Sequence, residues 1–269
     1  MHRSLARIVA IVAGSFVAAS ANTAVHAHDI KVFANRFHLA EGQTKATVYL
    51  CWGHLMPVDD LIDGKTIERY ELVTGSGSVT ALKTDDRSLQ AHAVQLTPGI
   101  NQIAVSRKVS VISYVLDAEG NKQLKRLPKS AIKEGKVESS QRSVMCGKAL
   151  VTSGPDAAQA VKALGQRIEI MPIEAPGRWR AGEALRYQVL LDGQPLANAK
   201  VDALRVSIPA TEGETISAET DAKGIATLKL GRAGVWALKA NSREPAAGTA
   251  LQDYDFTSYT ATLTFEVRP

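Results

Sequence analysis

Nitrogen donors for a metal ion are the residues here whose types and spacing point to a definite chemistry. The 269-residue chain holds six histidines, His2, His26, His28, His38, His54 and His92. Val25 and Ala27 place small residues where a signal peptidase reads, so cleavage after Ala27 makes His28 the first residue of the mature chain. A terminal histidine offers one ion both its α-amine and its ring nitrogen. The amine titrates near pH ~7.7 and the imidazole near ~6.5, so both are neutral donors under mild conditions. Such donors suit nickel, cobalt, copper and zinc. His54 is the expected partner: it follows Gly53, where a strand ends before the chain turns through Pro57. A histidine just past a strand end is held by the sheet and still reached from solvent. The plainer reading, a loop carbonyl as its only partner, stands beside this one.

The remaining donors are weaker. His38 and His92 flank strand-like segments and read as surface or packing residues, and Met56 reads as a core or loop methionine; all three are kept as further ligands to test. Cys51 and Cys146 are an even pair in an exported chain, which favours one disulfide. The rival reading makes Cys51 a metal ligand three residues before His54. No nucleophile elbow, phosphate-cradling glycine loop, His-Glu-x-x-His helix or Cys-x-x-Cys pair occurs, so nothing in the sequence argues for an enzyme.

These donors depend on the elements that carry them. Arg3 and Arg7 precede the apolar residues 8–19 (IVAIVAGSFVAA), a signal peptide spanning 1–27. That run falls short of the ~20 residues a membrane-spanning helix needs, so the expectation is a soluble periplasmic protein with no membrane span. Its removal deletes Arg3, Arg7 and no acid, taking the formal charge from +5 to +3, which is no nucleic-acid footprint. Short β-branched and aromatic runs broken by Gly, Pro, Asn and Asp predict strands at residues 47–51, 68–73, 103–105, 109–116, 167–173, 185–191, 199–206, 226–230, 235–240 and 259–267. Pro155-Asp156 ahead of AAQAVKAL, with Gly165 as the stop, predicts one short helix. The fold expected is all-β: two immunoglobulin-like β-sandwich domains, residues 28–154 and 166–269, joined by a helical linker over 155–165.

Several blocks together resemble one family. They are His28-Asp29, the Gly-His-x-x-Pro-Val-Asp-Asp run at residues 53–60, ERYEL at 68–72 and Lys148-Ala149-Leu150. IEIMPI at 168–173, LLDGQPLANAKV at 190–201, TDAKG at 220–224 and the closing strand complete the set. In this order they are similar to the DUF4198 proteins, a periplasmic family described as associated with nickel or cobalt uptake. The resemblance implies a protein that captures a transition-metal ion for a membrane transporter component, and it carries over only His28 and His54 as ligands. The chain departs from the pattern after Asp29, where IKVF stands in place of a segment with an aromatic such as tryptophan. It departs again after Trp236, where Asn241 and Ser242 stand instead of a histidine. The leading expectation is a non-catalytic nickel or cobalt binder; the alternative is a two-sandwich interaction module whose histidines are incidental.

Overall fold

Alternation decides the first layer. Along Lys45–Gly53 the residues Ala46, Val48 and Leu50 are buried, while Lys45 and Thr47 face solvent. This strand pairs antiparallel with Asp29–Ala34 on one side and His92–Gln95 on the other, giving a three-stranded sheet. The computed structural model describes residues 28–54, 56–154, 160–207 and 215–269. The expected signal peptide lies outside the described residues, as do residues 155–159 of the expected helix.

A larger, eleven-stranded sheet provides the second layer. Its centre is the strand Lys136–Ser153, which runs parallel to Phe256–Val267 and antiparallel to Gly99–Arg107 and Ser110–Leu116. Successive side chains on a strand point to opposite faces. Accordingly Val144, Cys146 and Leu150 enter one core, and Met145, Ala149 and Val151 enter the other. The first core lies under a four-stranded sheet built on Ala184–Leu191 and contains Trp179, Tyr187, Trp236 and Phe265. The second lies under the three-stranded sheet and contains Ile30, Val48, Leu50, Tyr70 and Val105. The all-β expectation holds, with sheets packed face to face in sandwich fashion.

Two expectations are corrected. Cys51 and Cys146 form no disulfide, because Cys51 packs in the core under the three-stranded sheet and Cys146 in the core on the other face of the large sheet. Burial pushes both thiols up from their ordinary values. They should therefore resist thiol reagents in the folded protein, and reductant should leave the melting temperature unchanged; a reductant-dependent melt would show the pairing wrong. The described part of the expected helix, residues 160–165, is not helical. Their backbone groups bond to side chains instead. The Leu164 and Gly165 amides donate to the Glu169 carboxylate (2.9 and 3.1 Å). The Lys162 and Leu164 carbonyls accept from Gln102 and Arg69, each at 3.0 Å. Among the described residues the helical elements are short 3₁₀ turns, and no helix is long and apolar enough to cross a membrane.

His38 is one of the polar residues tied into the large sheet, where its short strand pairs with Lys136–Ser153. Its Nδ1 lies 2.6 Å from Thr152 Oγ1 and its Nε2 3.2 Å from the Glu266 carbonyl. Arg268 donates to the same Nδ1 (3.2 Å), which fixes the proton on Nε2. Burial, followed by the Arg268 charge, pushes the His38 pKa down to about 4. The unfolded chain binds this proton below pH ~6.5 and the folded chain only below about 4, so acid favours unfolding across that interval. Allowing for partial exposure, the loss is on the order of 2 kcal/mol between pH ~6.5 and ~4. Urea melts of His38→Gln should lack this component, and an unchanged pH profile would assign it elsewhere.

Candidate functional site

The ladder between Asp29–Ala34 and Lys45–Gly53 places the two expected ligands. Its register sets Asp29 opposite Gly53. The next residues outward, His28 and His54, therefore face each other at the end of the ladder. Their ring centroids are 4.7 Å apart, with the planes at 62°. Donors on one ion at ~2.0–2.1 Å stand ~3.3 Å from each other, a separation that two imidazoles at this spacing reach by small side-chain rotations.

The two backbone ends are held from several directions. Asp29 is 5% exposed and accepts from Lys239 at 2.6 Å, with Lys31 at 3.9 Å. Lys31 in turn donates to the Gly53 carbonyl at 2.8 Å. The outer edge of Asp29–Ala34 receives hydroxyl donors from the closing strand, Thr262 to the Ile30 carbonyl at 2.6 Å and Thr264 to the Val32 carbonyl. Thr262 and Thr264 thus face this strand, while Leu263 and Phe265 between and beyond them fill the opposite core.

The Gly-His-x-x-Pro-Val-Asp-Asp run acquires a physical account. The His54 amide donates to Asp59 Oδ2 at 2.6 Å, closing the turn. Gly53 sits at φ +134°, and a Cβ there would come within 2.1 Å of that same oxygen, so only glycine fits. Asp60 bridges back to Trp52, donating its amide to the Trp52 carbonyl at 2.8 Å, and its carboxylate pairs with Arg87 at 2.6 Å. The two acids of the run therefore shape the loop that presents His54. Desolvation and the neighbouring His28 lower the His54 pKa, which favours the neutral, metal-binding ring.

A cavity of about 580 Å³ opens beside the pair, lined by His28, Trp52, His54, Arg107, Tyr114 and Met145 among others. Trp52 lies 5.4 Å from the His28 ring, and the Arg107 guanidinium stacks on Trp52 at 4.3 Å from the ring centroid. Arg107 is only 7% exposed, and burial together with the Arg126 charge pushes its pKa down to about 10. Sequence reasoning missed Trp52, Arg107 and Met145 as site residues, because each reads as an ordinary strand position. Met56, His38, His92 and Cys51 do not line the cavity. Met56 is buried in the core, and His92 Nε2 lies 2.7 Å from the Lys83 carbonyl.

The donor set accommodates a metal in part. Among the described residues no group of three or more His, Cys, Asp or Glu side chains could hold an ion. The pair would offer an ion two imidazoles, and its remaining donors would come from elsewhere than these side chains.

The family model described as "Domain of unknown function (DUF4198)" matches residues 25–244. No curated protein matches the sequence. Among solved structures, the D0-D1 domain of Intimin aligns at 15% identity over 88% of this chain and 97% of that one, with a TM-score of 0.20. The BSP domain of a biofilm associated protein aligns at 11% identity over 89% of this chain and 30% of that one, TM-score 0.19. Trypsin-activated alpha-2-macroglobulin from Escherichia coli aligns at 8% identity over 90% of this chain and 16% of that one, TM-score 0.22.

Proposed function

We propose that this chain, which belongs to the DUF4198 family, is a non-catalytic periplasmic protein that binds one transition-metal ion between His28 and His54. Its cargo is nickel or cobalt, with copper and zinc accepted by the same donors, and it delivers the ion to a component of a membrane uptake system. The observation that carries the reading is the meeting of the two imidazoles, 4.7 Å apart, at the end of one ladder. Residues 1–27, with their two arginines, apolar run and small residues before His28, support export.

Two ring nitrogens plus the α-amine released by cleavage after Ala27 give three nitrogen donors and leave further positions open. An open coordination sphere suits a carrier, which must release its ion as well as capture it. His54 is exposed and His28 half-buried, so a partner can reach the ion directly.

Calorimetric titration of nickel, cobalt, copper and zinc tests this in protein that begins at His28 and in protein with one alanine added ahead of it. The addition turns the α-amine into an amide and keeps both imidazoles. One ion per chain is expected in the first protein, with at least tenfold weaker binding in the second. No binding by either would remove the reading in favour of a metal-free interaction module.

A further inference from the structure

The acids that line the cavity are already engaged, and two of its arginines are not. Asp60 is paired with Arg87 at 2.6 Å, and the Asp63 carboxylate accepts from the Lys65 amide at 2.9 Å, capping a short turn. Among the described residues neither Arg107 nor Arg126 has a carboxylate within 4.0 Å, although both line the cavity. Arg107 is more than nine-tenths buried, its Nε–H has no acceptor among the described residues, and a guanidinium nitrogen makes a long contact to the Met145 sulfur at 3.8 Å. A desolvated guanidinium without a counter-ion is costly, and folding tolerates one chiefly where something else supplies the negative charge.

Size points the same way. A hydrated ion with six waters of ~30 Å³ each fills about a third of the 580 Å³ available. Cavities of roughly 300–1,000 Å³ are the range of small-molecule sites. The open positions left by two imidazoles also call for donors from outside the chain.

We propose that the cavity holds a small chelating carboxylate, bound to Arg107 and Arg126 on one side and to the metal at His28 and His54 on the other. The inference rests on the metal reading above and names its cargo as a metal–carboxylate complex. The planar fork of Arg107 matches a carboxylate with two parallel hydrogen bonds, and Trp52 beneath it fixes the plane in which they form. Arg126 is exposed and supplies charge at the cavity mouth. The metal and the arginines then hold opposite ends of one ligand.

Equilibrium dialysis with labelled citrate tests the proposal in protein that begins at His28, with nickel, without nickel, and with inorganic phosphate in place of citrate. Nickel and citrate should be retained together, one of each per chain. Arg107→Met, which keeps the stem on Trp52, should lower citrate retention at least tenfold while nickel alone is still bound, one ion per chain. Arg126→Gln changes an exposed residue, should fold normally, and should lower retention severalfold. Citrate that only strips nickel from the protein would overturn the proposal and leave the metal reading standing. Full citrate retention in both variants, or equal enhancement by phosphate, would overturn it as well. Loss of nickel binding in all arms would sink the metal reading, and the carboxylate proposal with it.

Discussion

In protein that begins at His28, His54→Ala lowers nickel affinity about 100-fold or more, while the melting temperature of the metal-free protein stays within a degree or two. The size follows from the donor count. Losing a residue that merely orients a ligand commonly costs 10–100-fold, and in the proposed site His54 is one of two imidazole donors. The stability half follows from where His54 sits. Its side chain is exposed, and the contact that closes the turn is made by its backbone amide to Asp59, which alanine preserves. His38→Gln serves as the contrast, because His38 lies outside the cavity and holds Thr152 and Glu266 instead. It should alter acid stability and leave metal affinity unchanged. The reverse pattern would move the site away from the ladder end.

Glu169→Ala should cost about 3–5 kcal/mol, the range for breaking one side of a buried ion pair. In a chain of this size that lowers the melting temperature by about 10 °C. Glu169 and Lys148 are each 1% exposed and meet at 2.6 Å. Burial lowers the Lys148 pKa, and the Glu169 charge opposes that shift. Without Glu169 the ammonium keeps, among the described residues, a Met171 sulfur at 3.2 Å. The carboxylate also collects the Leu164 and Gly165 amides, tying the connecting segment to the Ile168–Pro172 strand. The double change Lys148→Met with Glu169→Leu separates these roles. If only the charge pair mattered, the double variant would approach wild-type stability. Because the amides lose their acceptor too, about 1–3 kcal/mol should remain missing. Full recovery in thermal melts would show that the amide contacts contribute nothing.

Strands with one buried face were legible in the sequence. Residues 185–191 (LRYQVLL) alternate, and Ala184–Leu191 forms with Leu185, Tyr187 and Val189 inward. Lys136–Ser153 was not legible beyond Lys148-Ala149-Leu150. Its second half is buried on both faces and shows no alternation, while its first half, KVESSQR, is polar. The helix over residues 157–164 was a reasonable inference from local composition. In residues 160–164 it was overridden by Gln102 and Arg69, which lie far off in sequence, and by Glu169 on the strand that follows; together they bond backbone groups a helix would have used. The site divided in the same manner. His28 and His54 were recognised by residue type and by their places beside an expected cleavage position and a strand end. Their mutual approach came from the Asp29–Gly53 register, and the Arg107–Trp52 stack came from strands distant in sequence. Cys51 and Cys146 show the limit of counting: parity in a chain expected to be exported favours a bond, but alternation along Lys136–Ser153 sends Cys146 to the other core.

The central claim is that His28 and His54 share one ion, and X-ray absorption at the nickel edge of the loaded protein tests it most directly. The account predicts two imidazoles in the first shell at ~2.0–2.1 Å in the wild type and one in His54→Ala. A wild-type shell of oxygen donors alone, or one imidazole in both proteins, would contradict it.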